Sequence, residues 1–287
     1  MKLREFYNDC VGDLTYRGFE SPEAEVRFLL KGLLDISDTD LYLYPEKTLN
    51  ENEKSKLFDA VNRRISGVPI QYILGQWDFM DSSFHVGPGV LIPRPETELL
   101  CQKVIEEARK IQNPVIYDLC SGSGCIGISI KKAVPDAAVY LVEKSSDAIK
   151  YLQKNAESIL GDNKPFILQG DIFKYDDFAH YSKADIIVSN PPYIATDKIR
   201  TLQKEVVHHE PIMALNGGAD GLEFYRYIIS VWKNKLKANG VFFFEIGDEQ
   251  GSAVGKLLNE NGFDSCVDVD YNNLDRIVSG RKMTNVI

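Results

Sequence analysis

The 287-residue sequence has no Cys-x-x-Cys pair, and its five cysteines, Cys10, Cys101, Cys120, Cys125 and Cys266, are odd in number and widely spaced. That pattern argues against a disulfide framework and against a zinc site, and it predicts reduced thiols in a cytoplasmic setting. No segment approaches the roughly 18 uninterrupted apolar residues of a membrane span. The charged start Met1-Lys2-Leu3-Arg4-Glu5 leads into no apolar core, so neither export nor membrane insertion is expected. Basic excess is missing too: 33 Lys and Arg stand against 42 Asp and Glu, a net charge of -9. A chain so charged is poorly suited to gripping long nucleic acid through its phosphates, and no stable nucleic-acid partner is expected. Internal repeats and low-complexity tracts are absent. What remains is an ordinary hydrophobic fraction of 44% in a chain long enough for two domains.

The N-terminal stretch reads as helices. Leu3, Phe6, Tyr7, Cys10, Val11 and Leu14 fall on one helical face. Ser21-Pro22-Glu23 supplies an N-cap, a proline at the first helical position and a first-turn acid, ahead of a second helix carrying Phe28, Leu29 and Leu33. Leu57, Val61 and Ile65 mark a third helix, stopped by Gly67 and Pro69. So small a bundle has little core of its own and is expected to dock on something. It holds no catalytic constellation. The period then shifts: Trp77, Phe79, Phe84 and Val86 alternate around Asp81-Ser82 as a β-hairpin. Leu91-Ile92-Pro93-Arg94-Pro95-Glu96-Thr97-Glu98 reads as a stiff linker into a helix running towards Lys110.

From Pro114 strands and helices alternate, which predicts a doubly wound, largely parallel α/β sheet. The strand 115–119 turns through Cys120-Ser121-Gly122-Ser123-Gly124 into a helix from Cys125 to Ala133. Gly122 and Gly124 would let a ligand approach the backbone, and the helix start offers free N–H groups; such turns also serve plain packing. The second strand ends at Glu143, where a carboxylate can accept both hydroxyls of a ribose. A third strand, Phe166-Ile167-Leu168-Gln169, leads to Asp171 and Ile172, placed to meet a base amine and a base ring, although Asp171 equally fits a turn cap. Beyond the fourth strand, 205–221 reads as loop, and the adjacent His208 and His209 diverge too far to form a metal site. A helix 223–237, a buried strand 240–246, a helix 250–261 and two antiparallel strands, 263–269 and 276–280, close the chain.

The fourth strand, Asp185 to Ser189, runs into Asn190-Pro191-Pro192-Tyr193-Ile194. Neither proline has an N–H to donate, so the strand stops sharply and leaves the Asn190 carboxamide and the Pro191 carbonyl as fixed acceptors at a carboxyl end. Tyr193 offers a flat face to a planar group.

The glycine turn, Glu143 and Asn190-Pro191-Pro192-Tyr193 together resemble the motif set of class I S-adenosylmethionine-dependent methyltransferases acting on planar nitrogen. With Gln71-Tyr72-Ile73-Leu74-Gly75, Leu91 to Glu98, Glu205, Glu210-Pro211 and Gly217 to Leu222, the chain resembles the peptide chain release factor glutamine N5-methyltransferases over nearly its whole length. It departs from the family's common residues at Cys120, often Gly, at Glu143, often Asp, and at Ile172, often aromatic. The resemblance implies a helical substrate-recruiting domain at 1–75, a hairpin linker at 76–95 and a Rossmann-like methyltransferase domain with an antiparallel edge strand at 96–287. It implies S-adenosyl-L-methionine as methyl donor and the glutamine of the Gly-Gly-Gln motif of class 1 release factors as acceptor, in a cytoplasmic monomer. Cofactor binding falls to Cys120, Ser121, Gly122, Ser123, Gly124, Glu143, Asp171, Ile172 and Asn190. Substrate binding falls to Asn190, Pro191, Pro192 and Tyr193, with Asn190, Pro191 and Tyr193 catalytic. The other readings are an adenine-N6 nucleic-acid methyltransferase, opposed by the acidic charge, and a cofactor-binding protein without turnover, opposed by the intact Asn-Pro-Pro-Tyr. A nicotinamide dehydrogenase would leave Asn-Pro-Pro-Tyr unexplained.

Overall fold

The computed structural model describes residues 1–283. Helix α1 (Leu3–Tyr16) buries Leu3, Phe6, Cys10 and Leu14, as the period requires. In α2 (Pro22–Leu34) the buried stripe runs instead through Val26, Leu29 and Leu30, and at 100° per residue this turns Phe28 outwards. The short helix α3 (Asp38–Leu43) precedes α4 (Glu51–Ile65), and α5 (Ile70–Leu74) follows it. Reciprocal capping boxes start two of them, Ser37 with Asp40 and Asn50 with Glu53. Neither α3 nor α5 is long enough to show a hydrophobic period, which is why the sequence revealed only the three longer helices.

Next come strands β1 (Gln76–Phe79) and β2 (Ser82–His85), paired as a two-stranded sheet. Their turn holds Met80 at φ 53°, and its N–H donates to the Glu98 carboxylate at 2.6 Å. The chain continues through α6 (Pro95–Ala108), β3 (Val115–Leu119), α7 (Cys125–Ala133), β4 (Ala138–Glu143), α8 (Ser146–Leu160), β5 (Phe166–Gln169) and β6 (Ala184–Ser189). It closes with α9 (Lys204–His209), α10 (Glu223–Val231), β7 (Leu236–Glu245), α11 (Gly251–Glu260), β8 (Phe263–Val269) and β9 (Asp275–Lys282). The stretch expected to be loop after Glu205 thus holds a helix and a 3-10 turn at Ile212–Ala214, both too short for periodicity to reveal.

The large sheet has the order β5-β4-β3-β6-β7-β9-β8. Its first five strands are parallel, and β9 inserts antiparallel between β7 and β8, giving the expected antiparallel edge. Side chains alternate between two cores. Ile116, Val139, Ile186 and Phe243 join the core under α6, α7 and α8, while Tyr117, Val142, Ile187 and Phe244 join the one under α10 and α11. Burial on both faces explains the nearly unbroken apolar runs of these strands. The ladders align Leu119 with Val142, Leu119 with Ser189 and Ser189 with Phe244, so the carboxyl ends lie level along one edge. The order reverses between β3 and β6, where sheets of this kind open a ligand crevice.

The chain divides into two compact units, Met1–Gln76 with Gln203–His209, and Trp77–Leu202 with the chain from Glu210 onwards. The β2 strand thereby belongs to the second unit, and the chain returns once to the first. Among the described residues, no helix is long and apolar enough to cross a membrane. Within the first unit the Arg64 guanidinium, 7% exposed, meets Glu25 through Nε at 2.5 Å and Nη2 at 3.0 Å, and Glu205 at 2.7 Å. It also lies 4.6 Å from the Phe19 ring centroid. Removing the cation would leave two half-buried carboxylates without their shared partner. Arg64→Ala is therefore expected to cost this unit about 3 kcal/mol, read as lost hydrogen-exchange protection along α4.

Candidate active site

The glycine turn after β3 is fastened from inside. Ser121 N–H donates to the Val142 carbonyl at 3.1 Å, and its hydroxyl to the Asp118 carbonyl at 2.7 Å. Gly122 has φ 54°, and a Cβ built there would meet no atom within 4 Å, so its backbone faces open space. Gly124 instead forms the N-cap of α7 and faces the Ile128 and Leu152 side chains. Gly127 lets α7 press on the sheet: a Cβ there would overlap Leu141, and its N–H donates to Asp118 Oδ2 at 3.0 Å. Burial pushes the Asp118 carboxyl up to about 8, against the pull of that hydrogen bond. Cys120 sits at φ 61°, a region that costs any residue with a Cβ. Burial also raises its thiol well above the ordinary value, which keeps it protonated.

At the end of β4 the Glu143 carboxylate, 8% exposed, accepts from Gly122 N–H at 2.8 Å and from Ser145 N–H at 2.7 Å. It therefore joins the glycine turn to the start of α8, and each oxygen keeps a further lone pair. Fully buried Asn155 ties the same turn to the hairpin, donating to the Ser123 and His85 carbonyls and accepting from His85 N–H. After β5, Asp171 caps its own turn through Phe173 N–H at 3.1 Å and pairs with Lys144 at 2.8 Å. Ile172, 4% exposed, accepts from Trp232 Nε1 through its carbonyl at 3.0 Å.

β6 ends as expected. The Ser189 hydroxyl donates to the Leu119 carbonyl at 2.6 Å, and the Asn190 carboxamide donates through Nδ2 to Thr97 Oγ1 at 3.3 Å. Gln250 holds the turn from the other side, donating to the Tyr193 carbonyl at 3.0 Å and accepting from Gly247 N–H. Tyr193 is half-buried against the second core, and burial pushes its phenol up.

The segment read as a stiff linker is a working wall of the site. Arg94 pairs with the buried Glu210, whose other oxygen accepts from Ile92 N–H at 3.4 Å. Thr97 meets Asn190, and Glu98 holds the hairpin turn. The available signal was Arg94 between two prolines with Glu96, Thr97 and Glu98 directly after them, together with the distant Glu210-Pro211.

These elements line one cavity that opens to solvent. Of the residues expected in the site, Cys120, Ser121, Gly122, Ser123, Glu143, Asp171, Ile172, Asn190 and Pro192 line it. Gly124, Pro191 and Tyr193 do not. Arg94, Thr97, Lys144, Met213 and Phe224 line it as well, and sequence reasoning gave none of them a place there.

Solved methyltransferases share this fold. The hMettl16 catalytic domain is 15% identical, with 85% of this chain and 87% of that chain covered and a TM-score of 0.56. The 16S rRNA methyltransferase RsmC of T. thermophilus, solved with AdoMet and guanosine, is 18% identical over 72% of this chain and 50% of its own, with a TM-score of 0.52. Residues 95–219 match the methyltransferase small domain, and residues 5–75 the PrmC N-terminal domain. The class defined by fold and site is thus that of methyltransferases. Curated relatives narrow it. The release factor glutamine methyltransferase of Clostridium acetobutylicum is 40% identical over 97% of this chain and 98% of its own length, and that of Geobacter sulfurreducens 36% identical over 97% and 96%. The chain belongs to the family of release factor glutamine methyltransferases.

The strain at Cys120 has a measurable consequence. Cys120→Gly relieves the left-handed conformation and is expected to stabilise the chain by about 1 kcal/mol after the added unfolded-state entropy, checked by the thermal unfolding midpoint of the two proteins.

Proposed function

We propose that this chain transfers a methyl group from S-adenosyl-L-methionine to the side-chain amide nitrogen, N5, of the glutamine in the Gly-Gly-Gln motif of class 1 peptide chain release factors. The observation that carries the reading is the end of β6, where Asn190 and Pro192 border a cavity whose walls also hold Glu143 and most of the glycine turn. Family membership supports the same reaction.

The residues fit the methyl donor. Glu143 has spare lone pairs for two ribose hydroxyls, the uncovered Gly122 backbone leaves room for close approach, and Ile172 supplies an apolar surface for a base. Asp171 keeps lone pairs for an exocyclic amine, and Cys120, Ser121, Ser123 and Asn190 complete the binding surface, with Gly124 supporting the turn from behind. When bound, S-adenosyl-L-methionine supplies an electrophilic methyl on a cationic sulfur and leaves as S-adenosyl-L-homocysteine.

The chain's own residues supply orientation. An amide nitrogen is a poor nucleophile because its lone pair is delocalised into the carbonyl. In this reading the Asn190 Oδ1 and the Pro191 carbonyl accept both N–H hydrogens of the substrate amide, holding the nitrogen in line and stabilising the positive charge that develops on it. Because Asn190 Nδ2 already donates to Thr97, its oxygen is the end left for substrate. Pro192 stiffens the turn, and the exposed part of the Tyr193 ring packs on the amide plane. The surplus proton leaves to solvent after transfer, so no strong base is needed beforehand. The helical unit recruits the release factor, and the enzyme acts as a cytoplasmic monomer without a stable nucleic-acid partner.

Labelled methyl offered with a release factor, its Gln→Ala loop variant and unmethylated duplex DNA is expected to reach the intact factor alone; label on DNA, or on nothing despite cofactor binding, overturns the proposal. Asn190→Ala is expected to lower the rate by roughly a hundredfold with cofactor affinity largely kept, and unchanged turnover would remove Asn190 from this role.

A further inference from the structure

A buried acid stands behind Asn190. In the β6–β7 ladder Ser189 is the partner of Phe244, so the parallel register brings the next residues, Asn190 and Glu245, side by side. Glu245 is 1% exposed. Its main chain is fully occupied: it pairs with Ile277 in β9, and its carbonyl accepts from the Tyr225 hydroxyl at 2.7 Å. Its carboxyl lies beside the Thr97 hydroxyl and the Asn190 carboxamide, themselves joined at 3.3 Å, and Oε2 has no partner. A buried carboxyl left with an orphan oxygen is costly. No ion pair in the described residues compensates it, so packing alone gives no reason for an acid here.

We propose that Glu245 is a positioning residue for the methyl transfer, accepting from the Asn190 carboxamide together with Thr97 so that Asn190 Oδ1 is held towards the substrate. The inference rests on the reading of Asn190 given above. The two ends of a carboxamide have nearly the same shape, and only their hydrogen-bond partners decide which way it points. With Thr97 and Glu245 as acceptors on one side, the flipped form would set Oδ1 against a carboxylate. It would also turn two donors towards the donors of the substrate amide. A carboxylate at Nδ2 further polarises the amide and strengthens Oδ1 as an acceptor.

The carboxylate's surroundings set its pH range. Burial, with a smaller push from Glu96 of α6, raises Glu245 to about 7. Thr97, Asn190 and Arg276 of β9 pull the other way. The Tyr193 and Tyr225 phenols and the Cys125 thiol of α7 also face it, all raised by burial and therefore neutral in this range. Below about 7 the carboxylate gains a proton, and its hold on Asn190 weakens.

The test is single-turnover methyl transfer to an unmethylated release factor by the full chain, followed across neutral pH. The wild-type rate is expected to fall several-fold on the acid side of about 7. The near-isosteric Glu245→Gln should lower the alkaline rate about tenfold, the worth of one charge-assisted hydrogen bond, and flatten the acid limb. Its KM for the release factor and its cofactor affinity should stay within about twofold, because neither contact is touched. In an Asn190→Ala background it should cause no further loss. A flat wild-type profile, an acid limb retained in Glu245→Gln, a rise in KM without a fall in rate, or an added loss on Asn190→Ala overturns the proposal. Thr97→Val gives a second, milder variant should Glu245→Gln not fold, and a wild-type rate in it counts against the proposal. If Asn190→Ala turns over normally, the Asn190 reading falls and takes this one with it; if Asn190→Ala is slow and Glu245→Gln is not, only Glu245 is excluded.

Discussion

Two prolines in succession cannot enter a sheet ladder, and β6 must therefore end at Ser189 whatever its neighbours do. That stop frees one carboxamide and one carbonyl at the carboxyl edge of the most buried part of the sheet. Several contacts from remote parts of the chain hold this turn still. Gln250 clamps the Tyr193 carbonyl, Ser189 is tied to Leu119, and Thr97 accepts one hydrogen of the Asn190 carboxamide. In an unsupported loop the same tetrapeptide would sample many orientations, and its acceptors would lose the advantage of being set in advance.

Three carboxyl groups at neighbouring strand ends show how environment divides labour among like residues. Asp118 has one N–H partner and no exposure, and burial keeps it protonated at neutral pH, where it braces α7 through Gly127. Glu143 takes two backbone N–H groups and presents its remaining lone pairs to the cavity. Glu245 lies between these cases, buried but close to Arg276 and to two side-chain donors. The differences follow from hydrogen-bond supply, since all three sit at the ends of parallel strands in one sheet.

Much of the fold was legible because these strands are buried on both faces and their helices are long enough to show a period. Asn190-Pro191-Pro192-Tyr193 and Glu143 were legible for a related reason: each follows directly from where a strand stops. The short helices α3, α5 and α9 were not, since six residues or fewer span less than two turns. The outward turn of Phe28 was hidden as well, because a helix with apolar residues at 26, 28, 29, 30 and 33 has more than one possible stripe. The role of the Leu91 to Glu98 stretch stayed hidden because its partners are remote, 93 residues away for Thr97 and 116 for Arg94.

The amino-acid sequence by itself determined which strands exist and where the fourth one stops, because alternation and proline act over a few residues, whereas the helix read over 223–237 ends at Val231 and β7 starts at Leu236, four residues earlier than its apolar run. Only the tertiary structure decided which polar groups meet. Strand register set Glu245 beside Asn190, the inserted β9 brought Arg276 near them, and the turn geometry put Cys120 at a positive φ. Such pairings depend on sheet order and on contacts across a hundred residues, and no local pattern encodes them.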